Sequence, residues 1–232
     1  MSQLPAYIVQ NKLHYVNLLE IVRRGSGDIL GLGEDGVLLY DRGCRSHFMS
    51  ARTEAAYEAL ISLVPDWCDQ FVGHELWYRE RAIPRLGLKG GHVCYSAAYL
   101  GKEPLPPLEF GGEIRPLGQE WAERVEAHYS SSFGGVAYIR GAIDRGMLGA
   151  FVDGGLAGFV GFHEEGTIGL LEVLPEYRRR GIGEALERAA VDLALERGQY
   201  AFGQVLEGNA ASLALQRKVG MELSPEPMFW LF

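Results

Sequence analysis

Leu170-Leu-Glu-Val-Leu-Pro-Glu-Tyr-Arg-Arg-Arg-Gly-Ile-Gly183 is the stretch from which the architecture follows. Its apolar start reads as a strand running to Val173 and Leu174, and Pro175 ends it because proline brings no N–H to a ladder. Arg178, Arg179 and Arg180 come next, then Gly181-Ile182-Gly183, and a helix-forming run starts at Glu184. Strand, basic turn, glycines and helix start together form a site for a pyrophosphate. The glycines remove side chains so that backbone N–H groups can face the ligand, and the helix N-terminus adds partial positive charge.

Working outward, residues 167–174 form the strand and 184–197 the helix, with Leu186, Ala189, Ala190 and Leu193 on one face. Glu184 and Glu187 fall in its first turn, Arg197 in its last and Gly198 just past its end, as the helix dipole and a C-terminal cap favour. Upstream, 148–152 and 158–162 read as a hairpin around Asp153-Gly154-Gly155, preceded by a strand at 113–117 and a helix at 119–129. Downstream come a strand at 201–206, a short helix at 209–219 and a last strand at 228–232.

Glu103-Pro-Leu-Pro-Pro-Leu-Glu109 puts three prolines into a short span and marks a boundary between about 101 and 112. The expected domains are 1–105 and 113–232. In the first, a helix at 11–24, a hairpin at 28–40 turning at Glu34-Asp35-Gly36, a helix at 53–64 and a strand at 92–99 are expected. Gly31-x-Gly33-x-x-Gly36 matches a dinucleotide fingerprint in letters only, since a strand and not a helix follows it.

The chain has 232 residues, 47% of them hydrophobic, and a net charge of −8. An acidic protein lacks the broad basic surface that nucleic acid requires, so no nucleic-acid partner is expected. Cys44, Cys68 and Cys94 are odd in number and far apart, which argues against a disulfide framework or a zinc site and for a reducing, cytoplasmic setting. No signal peptide is read at the N-terminus, and no apolar run approaches the roughly 18 residues of a membrane span. A monomer or homodimer is expected.

A second motif, Asn209-x-x-Ser212-x-x-Leu215-x-x-Lys218-x-Gly220, follows the strand at 201–206. Asn209 suits a helix N-cap and Gly220 a helix stop. At this spacing the two segments resemble the GNAT superfamily of N-acetyltransferases over about residues 113–232. A closer likeness is to the glycine N-acyltransferase branch, carried by Leu174-Pro-Glu-Tyr-Arg178, by the ending Phe229-Trp230-Leu231-Phe232 and by an N-terminal lobe of similar size. The resemblance implies an α+β fold, a mixed, mainly antiparallel sheet flanked by helices, with a second N-terminal lobe as a degenerate copy. It implies acetyl-CoA, or another acyl-coenzyme A, as acyl donor to a small-molecule amine. Backbone groups of Leu171 and Val173 would pair with the pantetheine amides. Arg178, Arg179, Arg180, Gly181, Ile182 and Gly183 would hold the pyrophosphate, and Asn209 and Ser212 would lie on the pantetheine arm. The run Ser130-Ser131-Ser132 would line the acceptor pocket.

Attack of an amine on a thioester needs an acceptor for the ammonium proton, a donor for the oxyanion and a stabilised leaving thiolate. Here the chain departs from the family pattern. The positions where relatives place a base are Thr167, Gly169 and Gln204, and the position of their acid tyrosine is Gln216. Glu172, Glu165 and His163 remain as candidate bases. Glu172 leads them, because burial between Leu171 and Val173 would raise its pKa, although a salt bridge to one of the arginines explains it equally well. Loss of base and acid leaves a second reading open, a catalytically silent CoA-binding sensor or scaffold, and an ordinary nucleotide-binding module is a third.

Overall fold

The computed structural model describes residues 4–131 and 134–232; Ser132, the end of the serine run, lies outside them. Helices α1 (Ala6–Gln10) and α2 (Val16–Arg24) lead into β1 (Gly27–Gly33), β2 (Gly36–Asp41), β3 (Ser46–Ala51), α3 (Glu54–Ile61), β4 (Phe71–Gly73), α4 (Arg79–Leu86) and β5 (Val93–Tyr99). After these come β6 (Glu113–Pro116), α5 (Ala122–His128), α6 (Gly135–Asp144), β7 (Leu148–Val152), β8 (Gly155–Phe162), β9 (Ile168–Val173) and α7 (Ile182–Glu196). The chain ends with β10 (Ala201–Leu206), α8 (Ala210–Val219), β11 (Glu222–Leu223) and β12 (Met228–Leu231). Strand pairing is mainly antiparallel, with β3–β4 and β9–β10 parallel, so the mixed α+β class read from the sequence is the class observed.

The described residues form two units. One joins the chain up to Ala98 with Gln204–Leu213 and Glu222–Phe232, and the other joins Tyr99–Gly203 with Ala214–Met221. This division differs from the 1–105 and 113–232 expected from the proline run. The reason is β12, which pairs with β4 and β5 and inserts Phe229 beside Gly73, where its ring takes the room a Cβ would need.

In the first unit the strand order is β1-β2-β3-β4-β12-β5, over a core of Leu38, Met49, Tyr57, Phe71, Tyr78 and Phe229. The β1–β2 hairpin turns at Glu34 and Asp35 and Gly36 opens β2, where a Cβ would press on Ser50 and Leu60, so a strand and not a helix follows the glycines and the dinucleotide fingerprint is ruled out. A polar network is buried here. Glu75 accepts hydrogen bonds from Tyr15 (3.0 Å), Ser50 (2.7 Å) and the Ala51 N–H (2.9 Å). His74 lies between Asn17 and the Met49 carbonyl, and burial, reinforced by His14, pushes its pKa down to about 3.

In the second unit β6, β7, β8 and β9 pair in sequence order. The core is built from Leu117, Ile139, Phe151, Phe159, Leu170 and Leu174, with α5 and α6 contributing Val125 and Ile139. The proline run, expected to mark a domain boundary, is docked on α7. The Leu105 N–H donates to Asp192 (2.7 Å) and Arg188 donates to the Pro106 carbonyl (3.2 Å). Helix α7 buries Ile182, Leu186, Ala190, Val191 and Ala194. The buried stripe therefore runs through 182, 186 and 190, while Ala189 and Leu193 lie at its margin.

Candidate functional site

The turn after β9 holds the features expected of an anion cradle. Gly181 is the residue before α7 and is left-handed, at φ 82° and ψ −5°. No side chain caps α7, so the orphan N–H groups of its first turn keep their capacity for an anionic ligand. A Cβ on Gly183 would lie 3.5 Å from Val173, an ordinary contact. The arginines are not equivalent. Arg178 folds back on β9, donating from Nε to the Val173 carbonyl (2.9 Å) and from Nη2 to Glu172 (3.2 Å). Arg180 donates to the Glu176 carbonyl (3.1 Å) and lies over the half-buried Tyr177 ring. Arg179, at φ 65°, makes no hydrogen bond or ion pair among the described residues.

Strand β9 is irregular where the sequence showed only an apolar run. Gly161 pairs with Gly169 and Phe159 with Glu172, so Leu170 and Leu171 together face the single residue Val160. Leu170 adopts φ 50°, a left-handed conformation that costs a branched residue about 1–2 kcal/mol. A bulge of this kind takes one residue out of the ladder. On the other side of β9 the register with β10 is the single pair Gly203↔Ile168.

Glu172 does not have the apolar surroundings expected of it. Its Oε1 is 3.2 Å from Arg178 Nη2 and its Oε2 accepts from Ser130 Oγ at 2.8 Å. The side chain retains 17% exposure, because an irregular strand end opens into a pocket of about 250 Å³ lined by His128, Ser130, Glu172, Leu174 and Arg178 among others. The salt-bridged alternative is the arrangement observed.

The turn between β8 and β9 carries the other candidates. Glu165 accepts from Thr167 Oγ1 (2.7 Å). His163 bonds through Nδ1 to the Tyr138 hydroxyl on α6. Its ring lies over Gly169, where Nε2 and Cδ2 occupy the place of an absent Cβ. Burial lowers the His163 pKa, Glu165 and Glu164 oppose that shift, and Arg145 reinforces it. Tyr138 is raised, first by burial and then by Glu165.

Two carboxyls on α7 were read as simple dipole partners, and the structure buries both. Glu184 lies 3.0 Å from Arg188 and 2.5 Å from Lys218. Burial alone would raise its pKa, but these two cations outweigh it and hold the pKa below the usual value. Among the described residues Glu187 accepts a hydrogen bond from the Gln216 amide alone, at 3.0 Å, and burial pushes its pKa up to about 7. Gln216 is thus committed to a buried carboxyl. The sequence signal for Glu187 was its helical spacing to buried positions of α7, three residues before Ala190 and four before Val191.

The remaining sequence candidates fall in the first unit. Asn209 caps α8, accepting from the Ser212 N–H at 3.0 Å, which is the helix-initiating role. Gln204 accepts from Trp230 Nε1 (2.6 Å). Among the described residues no His, Cys, Asp or Glu cluster fits a metal, and no helix is long and apolar enough to cross a membrane.

Residues 117–221 match the model of the acetyltransferase (GNAT) family. A Drosophila protein solved by X-ray crystallography is similar at 19% identity and a TM-score of 0.72, covering 97% of this chain and 93% of that one. A GCN5-related N-acetyltransferase from Kribbella flavida is 14% identical at a TM-score of 0.59, covering 94% of each chain. Another from Sphaerobacter thermophilus is 17% identical at 0.54, covering 98% of this chain and 91% of that one. At these identities the likeness is one of fold. No curated protein sequence matches the chain.

Proposed function

We propose that the chain is an acyl-CoA-dependent N-acyltransferase, moving an acetyl or other small acyl group to a primary amine of a small molecule or an amino acid. The observation that carries this reading is the cradle after β9: a left-handed Gly181, an uncapped α7 and three arginines at one helix N-terminus. GNAT acetyltransferases use acetyl-CoA as acyl donor, and residues 117–221 match that family. The absence of a side chain at Gly181 and Gly183 leaves room for phosphate oxygens against backbone N–H groups.

In this reading the first-turn N–H groups of α7 and the arginine turn hold the pyrophosphate. Backbone groups of Leu171 and Val173 bond the pantetheine amides. Arg178 now covers the Val173 carbonyl, so it swings off β9 toward phosphate as the arm arrives, and Glu172 limits how far it goes. The residue extruded by the bulge at Leu170 and Leu171 supplies an N–H for the oxyanion. The roles of Asn209 and Ser212 on the arm rest on the sequence resemblance alone. So does the glycine N-acyltransferase likeness, which favours an amino-acid acceptor.

Thr167 at a base position, and Gln216 tied to Glu187 at the acid position, favour a second reading, a CoA-binding protein without turnover. Calorimetry with acetyl-CoA, followed by thiol release on addition of primary amines, separates the two. Binding with turnover supports the enzyme. Binding without turnover on any amine supports the sensor. Displacement of CoA by ATP at similar concentration removes the basis of both.

A further inference from the structure

Thr167, Gly169 and Gln204 leave no base, and Gln216 no acid, at the positions the motif pattern offers, and Glu172 is occupied by Arg178 and Ser130. The geometry supplies a proton acceptor from another element. This step rests on the reading that acyl-CoA lies along β9. A ligand anchored at the start of α7 and running along β9 from Val173 toward Ile168 passes the four ladder steps from Gly158 to Phe162 on β8, about 3.3 Å each or roughly 13 Å. A pantetheine arm reaches that far, so the thioester comes to rest beside residues 168–170.

At that point β9 has no side chain that takes a proton. Ile168 and Leu170 are buried and apolar, and Gly169 has no Cβ. The room above Gly169 is filled by the His163 imidazole, whose Nε2 stands where the first side-chain atom of residue 169 would be. The ring enters from the β8–β9 turn, is half-buried, and is oriented through Nδ1 by Tyr138. We propose that His163, oriented by Tyr138, is the catalytic base that takes the ammonium proton of the acceptor amine.

The Nδ1–H donates to the Tyr138 oxygen and the Nε2 lone pair receives the proton. The freed amine attacks the thioester carbonyl, the C–N bond forms and the C–S bond breaks. The second proton on nitrogen passes to the departing sulfur, and the imidazolium releases the first to solvent. Among the described residues, the titratable and charged groups that face the ring include Glu164 and Glu165 on its own turn and Tyr138 and Arg145 from α6 and its end. With burial lowering its pKa, the ring is neutral at pH 7, as a base must be.

The test uses the full chain with acetyl-CoA and the fastest amine among glycine, glycinamide, putrescine and phenethylamine. His163→Asn keeps a polar atom near Nδ1 for Tyr138 and removes Nε2. Its kcat is expected to fall about 100-fold and its acid limb to vanish, with acetyl-CoA affinity by calorimetry within twofold of the native chain. Tyr138→Phe shifts the acid limb. The His163 ring resonance, assigned by its loss in His163→Asn, shifts with Tyr138→Phe in the absence of acetyl-CoA. The double change His163→Ala with Gly169→Glu places a carboxyl from β9 in the vacated room and regains part of the rate, which also answers a folding failure of the single variant. A His163→Asn chain that keeps kcat within threefold and retains its acid limb overturns the proposal. So does a native chain that binds acetyl-CoA and acetylates none of the four amines. Failure of acetyl-CoA to bind the native chain instead overturns the functional reading beneath it.

Discussion

Glu184 and Glu187 sit one turn apart on α7, yet they titrate in opposite directions, and the difference is local. Glu184 has two cations and Glu187 an amide. The pKa of Glu187 rises from 4.5 unfolded to about 7 folded. Between those values the folded chain holds a proton that the unfolded chain has released, so stability declines as pH rises through this window. The full cost, on the order of 3 kcal/mol, is present above pH 7. Glu187→Gln stays neutral and keeps a partner for Gln216. Its melting temperature is expected to match the native chain at pH 5 and to exceed it by roughly 5–10 °C at pH 8; melting curves that run parallel across this range would contradict the assignment. Glu172 makes the complementary case. Glu172→Gln loses the charge that holds Arg178 beside β9, so acetyl-CoA affinity by calorimetry should change severalfold while the acid limb of the pH–rate profile stays in place. Disappearance of that limb would return the role of base to Glu172.

Two glycines at the start of α7 share a function in the proposed cradle and differ in what a side chain would cost the fold. Gly181 is left-handed, at φ 82°, so a β-branched replacement there strains the backbone and confounds a binding test. Gly183 is helical, and its Cβ would make only an ordinary contact with Val173. Gly183→Ala should therefore melt at or above the native temperature, since alanine favours the helix by about 0.5–1 kcal/mol, while acetyl-CoA affinity falls about tenfold. Unchanged affinity would place the pyrophosphate elsewhere. The strand–turn–helix around these glycines was legible because Pro175, the arginines and Gly181 each punctuate the chain at a fixed offset. The β1–β2 hairpin was legible from its Asp-Gly for the same reason. Other elements were hidden by chemistry that points the wrong way. Helix α4 contains Pro84, which reads as a break, yet Arg85 and Leu86 continue the helix to Gly87. Helix α6 begins at Gly135 and contains Gly141, so propensity argues against it, and only the packing of Ile139, Ala142 and Ile143 sustains it. Strand β3, Ser-His-Phe-Met-Ser-Ala, is buried along its whole length and shows no alternation. The strand, turn and helix start of the proposed cradle followed from sequence order, whereas His163 over Gly169 is a contact between a turn and a strand that no local pattern encodes.

At the scale of the whole chain, the proline run looks like the place to cut, and the topology says otherwise. A fragment ending at residue 112 retains β4 and β5 but lacks β12, the strand that pairs with both. It also lacks Phe229, which packs against Phe71 and Tyr78 and fills the space over Gly73. The first unit therefore closes only when the last residues of the chain arrive, after everything between Tyr99 and Gly203 has been made. Loop closure over so long an interval adds little in free energy, because its cost grows only logarithmically with length, but it makes the early residues dependent on the late ones. The fragment 1–112 is expected to melt without a cooperative transition, and the full chain carrying Phe229→Ala to lose about 3–5 kcal/mol in urea unfolding. That loss should register at Trp67 and Trp77, whose fluorescence reports the first unit. A cooperative melt from 1–112 would mean that residues before the proline run fold by themselves, and that β12 joins a sheet already complete without it.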